Sequence, residues 1–209
     1  MCAFIGFFYG IIKFFKPKKA VYAQMITLAV GSMAFGRLYQ VVRLFTGDEI
    51  VEKFQLGTLG VIGSLLFLLT ANSGLMDSLA DDGSKRFLKY RIIPLAAPVF
   101  CAALYVAFVL FANVSNFAKI VGAVITIFVM LATYYNLKHL IFPDVDFGVI
   151  KCLKVYNVLA LLHSFLCLAE VITVSRNSEI STLIIGVIMG ALLMAIVPSV
   201  ERGMKKWII

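Results

Sequence analysis

The dominant pattern along the chain is a succession of six long apolar segments that alternate with short polar stretches. A helix that crosses a bilayer needs about 20 mostly apolar residues, and each segment meets that length. The segments run roughly Ala20–Phe45, Phe54–Ala71, Ile92–Ala112, Phe117–Leu137, Leu153–Val174 and Ile180–Val197. The pattern predicts an all-α, polytopic membrane protein, with six transmembrane helices in one helical-bundle domain over residues 1–209.

The N-terminal segment, residues 1–19, is apolar at first and then basic. A helix over its first fifteen residues would be about 22 Å long, which is short of the ~30 Å hydrocarbon core. Its positive charge follows the apolar stretch, whereas a signal peptide carries that charge first, so we expect the segment to be retained. Two arrangements stay open. The segment lies in the interface with Lys13 and Lys16 at the headgroups, or it forms a thin seventh span.

Glycines recur at helical spacing in two of the apolar segments. Gly57, Gly60 and Gly63 follow one another every three residues, and Gly186 and Gly190 form a GxxxG motif. Small residues at this spacing let helices approach closely, so both sets predict helix–helix contacts.

Composition agrees with a membrane protein. The chain is 62% hydrophobic and 14% charged, and its mean hydropathy is +0.99. Soluble domains are about half apolar and about a quarter charged. The spans and loops use the whole length of 209 residues, so we expect no soluble domain.

Positive charge is distributed unevenly among the loops. Most of the 19 lysines and arginines fall in the N-terminal segment, the even-numbered loops and the C-terminal tail. This is the positive-inside pattern, and it predicts a cell-membrane protein with its C-terminus in the cytoplasm. The exceptions at the opposite ends are Arg37, Arg43, Lys53, Lys119 and Arg176. Topology therefore explains the net charge of +8, and we expect no nucleic-acid partner.

Two ionisable residues lie inside the fifth apolar segment. His163 and Glu170 are seven positions apart, close to two helical turns, so they share one helix face. An ionisable side chain in lipid is costly and by default marks a functional site. From the rise per residue, His163 lies about 15 Å into its segment, near the midplane. Glu170 and Arg37 both lie about 25 Å in, near the outer boundary, which predicts that they form an ion pair.

The candidate ligand-binding residues are polar or charged side chains close to these positions. They are Arg37, Gln40, Asn157, His163, Ser164 and Glu170. One hypothesis is a cavity open to the outside, with Arg37 and Glu170 at its mouth and His163 at its floor. The alternative is structural: the ion pair fixes helix packing, and His163 hydrogen-bonds a neighbouring backbone carbonyl.

Acidic residues outside the spans indicate a functional site less strongly than the charged residues within them. Asp77, Asp81 and Asp82 lie just after the second segment, where a solvated loop with helix-capping aspartates is favoured over a metal site. Asp144 and Asp146 form a bare DxD, which is common in turns. The metalloprotease, hydrolase and P-loop signatures are absent. We therefore predict no catalytic residue, metal ligand or cofactor.

The favoured functional hypothesis is a membrane protein that binds a small polar or zwitterionic solute within the helix bundle, as a compact transporter or substrate-capture subunit. Its build resembles the vitamin-capturing subunits of energy-coupling-factor transporters in architecture alone. The alternative is a membrane-embedded sensor or accessory subunit without transport activity. Its cytoplasmic contact with a partner subunit would be Lys85, Arg86, Lys89 and Arg91. A third option is an enzyme that acts on lipid through the aspartates after the second segment.

Overall fold

The structure is a computed structural model that describes residues 2–16, 19–46, 56–77, 81–143, 152–175 and 179–207. These ranges are helical with short connections, and no strand occurs within them. Several residues of the sequence analysis lie outside the described residues: Lys53, Asp144, Asp146 and Arg176.

Eight α-helices are formed within the described ranges. They are α1 (Cys2–Gly10), α2 (Val21–Thr46), α3 (Leu56–Leu69), α4 (Leu88–Ile92), α5 (Ala96–Phe111), α6 (Asn116–Ile141), α7 (Lys154–Ser175) and α8 (Glu179–Trp207). Wider π-helical turns continue two of them, α1 through Ile11–Phe15 and α3 through Thr70–Met76. Tighter 3₁₀ turns flank α4 at Lys85–Phe87 and Ile93–Leu95. Pro94 lies at the start of the second of these, where its missing N–H donor is tolerated.

Six helical stretches are long and apolar enough to cross a membrane. They are Val21–Arg43, Gly57–Gly74, Lys85–Phe111, Asn116–Ile141, Lys154–Val174 and Ile180–Lys206. The prediction of an all-α protein with six transmembrane helices is confirmed.

The spans form a closed ring in which α2, α3, α6, α7 and α8 each contact the next, and α8 contacts α2. Helix α5 lies outside this ring against α6 and α7. The interior is apolar for most of its length but includes buried polar side chains at several levels. Those polar levels are the candidate sites described below.

Helices α2 and α3 approach each other closely because glycines meet at their contact. A Cβ added to Gly60 would lie 2.6 Å from the Cα of Gly36 and 2.7 Å from the carbonyl oxygen of Ser32. No side chain fits there, so the close contact that the glycine spacing predicts in α3 is confirmed. The same prediction is wrong for Gly186, because no described atom comes within 4 Å of a Cβ placed on it.

Helix α1 lies alongside α2 and α8. A Cβ on Gly10 would meet the Thr27 side chain at 2.4 Å, and one on Gly31 would meet the ring of Phe7 at 2.5 Å. As the chain advances along α1 its contacts move backward along α2, so the two helices are antiparallel. Of the two arrangements that the sequence leaves open, these contacts match a short helix beside the spans rather than one lying across their ends.

Candidate functional site

The polar level near the C-terminal ends of α2 and α7 is an ion pair between these two helices. Both terminal nitrogens of Arg37 donate hydrogen bonds to the two carboxylate oxygens of Glu170. This fork-to-fork geometry is the strongest and most directional form of the guanidinium–carboxylate interaction. The side chains are 29% and 13% exposed, so the pair is largely enclosed but reachable from outside the bundle. The pairing that equal depth predicts is therefore present.

Gln40 completes this level. It lies one turn beyond Arg37 on α2, and its side-chain oxygen accepts a hydrogen bond from Arg37 at 2.9 Å. Its aliphatic part rests on Gly57, where an added Cβ would lie 2.7 Å from Cγ of Gln40. Glycine at that position of α3 thus gives Gln40 the space to orient the guanidinium. We refer to Arg37, Gln40 and Glu170 as the outer triad.

His163 forms a second, fully enclosed level. Its Nε2 lies 3.3 Å from the hydroxyl of Ser64 and 3.8 Å from the thiol of Cys167. Its Nδ1 has no hydrogen-bond partner among the described atoms. The neighbouring Ser164 donates instead to the backbone carbonyl of Ala160 at 2.9 Å. His163 therefore bonds side chains of two helices, α3 and α7, rather than a backbone carbonyl.

A third level consists of amide side chains and one phenol. Tyr156 donates to the side-chain oxygen of Asn72 at 2.9 Å, and Asn72 donates to the side-chain oxygen of Asn136 at 2.6 Å. Asn72 lies in the π-helical continuation of α3, a geometry that is often found at functional sites. Asn157 borders this level, donates to the carbonyl of Leu153 at 3.2 Å, and leaves its own buried side-chain oxygen without a described partner.

The six candidate residues thus occupy three levels rather than one pocket. Arg37, Gln40 and Glu170 are together, whereas His163, Ser164 and Asn157 are at most 1% exposed. A cleft of about 440 Å³ opens elsewhere, between α1, α2 and α3, and none of the six residues lines it. Its walls are mainly apolar, with four aromatic rings among the lining residues, and Gly36 and Gly60 also line it.

Charged residues at the opposite end of the bundle form a cluster that the sequence analysis missed. The ammonium of Lys138 lies 2.7 Å from a carboxylate oxygen of Asp77 and 2.7 Å from one of Asp81. Arg91 donates from Nε to Asp81 at 2.7 Å, and Nε2 of His139 lies 3.3 Å from Asp77. Lys138 and His139 are 3% and 1% exposed, so this charge is buried. We refer to these five residues as the end cluster.

The expectation of solvated, helix-capping aspartates is therefore wrong for Asp77 and Asp81. The π-helical turns carry α3 through Met76, and Asp77 follows directly, which brings both carboxylates against the last turn of α6. Asp82 does behave as a turn residue, because it accepts the backbone N–H of Ser84 at 2.8 Å. The sequence feature that could have predicted this shared contact is the four-residue spacing of Asp77 and Asp81, which would place them on one helix face.

Both aspartates of the end cluster are held in their ionised form. The hydrogen bond from Arg91 is the main reason that the pKa of Asp81 is lowered, and Lys138 adds to it. Burial alone would raise the pKa of Asp77, but hydrogen bonds from His139 and Lys138 outweigh burial and lower it. Within the described residues there is no group of three or more His, Cys, Asp or Glu side chains placed to hold a metal ion.

No protein-family model, no curated protein and no solved structure matches this chain. The indications of its function therefore come from its own residues.

Proposed function

We propose that this protein binds a small polar or zwitterionic solute at the outer triad, as a compact transporter or substrate-capture subunit. The supporting observation is that Arg37 and Glu170 face each other within the bundle and remain partly exposed. Buried charges of both signs in a membrane protein are costly, and they are typical of substrate sites.

A zwitterion matches this pair in both charge and geometry. Its carboxylate can replace that of Glu170 on the Arg37 fork, and its ammonium can take the place of Arg37 beside Glu170. Each buried charge then keeps a partner, so the exchange avoids leaving an isolated ion in a low-dielectric environment. A solute without charged groups has neither the carboxylate nor the ammonium needed for this exchange, so we expect the site to select zwitterions.

The deeper levels supply polar groups for onward passage. Nδ1 of His163 and the side-chain oxygen of Asn157 are buried and have no described partner. Buried polar atoms normally find a partner, from protein or from ordered water, because an unpaired one costs free energy. A solute that moves inward from the outer triad would meet these atoms in turn.

The test is thermal unfolding of the purified protein with and without amino acids and glycine betaine. A solute present at 100 times its dissociation constant stabilises the folded state by about 2.7 kcal/mol. We expect a rise in melting temperature for the wild type and for the control Lys119→Gln, and none for Arg37→Gln/Glu170→Gln. A zwitterion-dependent rise that persists in the double variant contradicts the proposal.

A membrane sensor or accessory subunit without transport activity is the second candidate. Burial of His163, Ser164 and Asn157, which are at most 1% exposed, favours it, because a solute would need an opening to reach them. Uptake of the stabilising solute into proteoliposomes separates the two. Uptake supports a transporter, whereas binding to the outer triad without uptake supports a capture subunit or a sensor.

A further inference from the structure

Three cations project outward from the short segment that leads into α5. Lys85, Arg86 and Lys89 are exposed, and we refer to them as the basic face. No salt bridge in the described part of the chain involves any of them, although Asp82 interacts electrostatically with Arg86. Arg91 differs from the three, because its donors are engaged by Asp81 and by the backbone carbonyl of Gly83. Of the four basic residues in this segment, Arg91 therefore bonds groups within the protein, and the other three face outward.

Aromatic side chains hold two of these cations in place. The guanidinium of Arg86 lies 4.3 Å from the ring centre of Phe87, and the ammonium of Lys89 lies 4.8 Å from that of Tyr90. Both rings pack on Phe142 of the α6 terminus, with centroid distances of 4.9 and 5.7 Å. Phe87 and Phe142 are buried, so the basic face rests on a fixed base rather than on a loose loop.

Exposed apolar residues lie between and after the cations along the same segment. Leu88, Ile92 and Ile93 are 52%, 55% and 54% exposed, and they lead into the most apolar part of the span Lys85–Phe111. Cations followed by outward-facing aliphatic residues mark the boundary between headgroups and hydrocarbon. A lipid can place its phosphate against the cations and its acyl chains against these aliphatic side chains, whereas a soluble phosphate has nothing to place against them.

We propose that the basic face binds the phosphate of an anionic phospholipid, whose acyl chains lie against Leu88, Ile92 and Ile93. Juxtamembrane lysines and arginines are attracted to anionic lipid by about 1 kcal/mol each. Three of them correspond to a selectivity of roughly 100-fold for phosphatidylglycerol over phosphatidylcholine. This inference is independent of any solute at the outer triad.

The experiment is a lipid titration of the full chain in neutral detergent, with bound lipid counted by native mass spectrometry. The probes are phosphatidylglycerol, phosphatidylcholine and inorganic phosphate. The variant is Lys85→Gln/Arg86→Gln/Lys89→Gln, and the control Arg202→Gln/Lys205→Gln/Lys206→Gln removes the same charge from the end of α8. We expect about 100-fold weaker phosphatidylglycerol binding in the first variant alone, with phosphatidylcholine binding unchanged.

Three results overturn the proposal. They are phosphatidylglycerol binding that survives in the basic-face variant, an equal loss in the control, and competition by inorganic phosphate at the same concentration as the lipid. If the triple variant does not fold, the single variants serve instead, and each should weaken phosphatidylglycerol binding about fivefold. The conservative change Lys85→Arg/Lys89→Arg should retain binding, since it keeps both charges.

Discussion

Arg37 and Glu170 lie 133 positions apart in the chain, yet both terminal nitrogens of the guanidinium donate to the carboxylate and join α2 to α7. Breaking a buried pair by removing one partner costs about 3–5 kcal/mol, and partial exposure of this pair reduces the expected cost to about 2 kcal/mol. We expect Arg37→Gln and Glu170→Gln each to lower stability by that amount.

The double variant should cost less than the sum of the single ones, because neither charge is then left alone. Unfolding in detergent of all four proteins gives the coupling free energy. Additive losses, with zero coupling, would show that the two side chains do not stabilise each other.

Lys138 is the central residue of the end cluster, since it bridges Asp77 and Asp81. Lys138→Met leaves two carboxylates facing each other without the cation between them, and we expect a loss of about 3 kcal/mol. The control is Lys205→Gln, which removes an exposed cation from Glu201. Since Glu201 keeps Tyr9 and Lys13 as partners, the change should cost under about 1 kcal/mol. Equal losses from the two changes would argue against a special role for Lys138.

The end cluster should also make stability depend on pH. The pKa values of Asp77 and Asp81 are lowered in the folded state, so the unfolded chain binds more protons in acid. Their stabilising contribution is complete above the unfolded pKa of about 3.9 and is lost as the pH falls through the folded values. Melting temperature between neutral and acidic pH should fall less steeply for Asp81→Asn than for the wild type. An unchanged slope would show that Asp81 is not held by Arg91 and Lys138.

Glycines in α3 and α8 provide a matched pair of substitutions. Gly60→Ala places a methyl group 2.6 Å from the Cα of Gly36, so the helices must separate, and we expect a loss of about 1–3 kcal/mol. Gly186→Ala meets no described atom and removes a flexible residue from a helix, for a gain of up to about 1 kcal/mol. Thermal unfolding of the two variants should therefore shift in opposite directions. A stable Gly60→Ala protein would mean that α2 and α3 are not held in close contact.

The sequence was sufficient for features that depend on distance along a straight helix. A constant rise per residue puts Arg37 and Glu170 at one depth whatever the rotation of their helices, so the pair is predictable. The partners of His163 depend on how α3 is rotated against α7, and Ser64 gives no pattern that reports this rotation. The aspartates were misassigned for a different reason. The helix continues beyond Leu69 without an apolar periodicity that would predict it. The sequence around Lys138 is typical of a basic loop, although the structure pairs this residue with Asp77.

The π-helical stretch Thr70–Met76 sets the register between the interior of the bundle and its charged end. Each of its hydrogen bonds encloses one more residue than in an α-helix, so each residue turns the chain by less than the roughly 100° of an α-helix. Winding the same seven residues as an ordinary α-helix would turn Asp77 by about 100°, away from Lys138, while Ser64 stayed opposite His163. The winding of this stretch therefore decides whether the end cluster faces the same interior as Asn72 and Asn136.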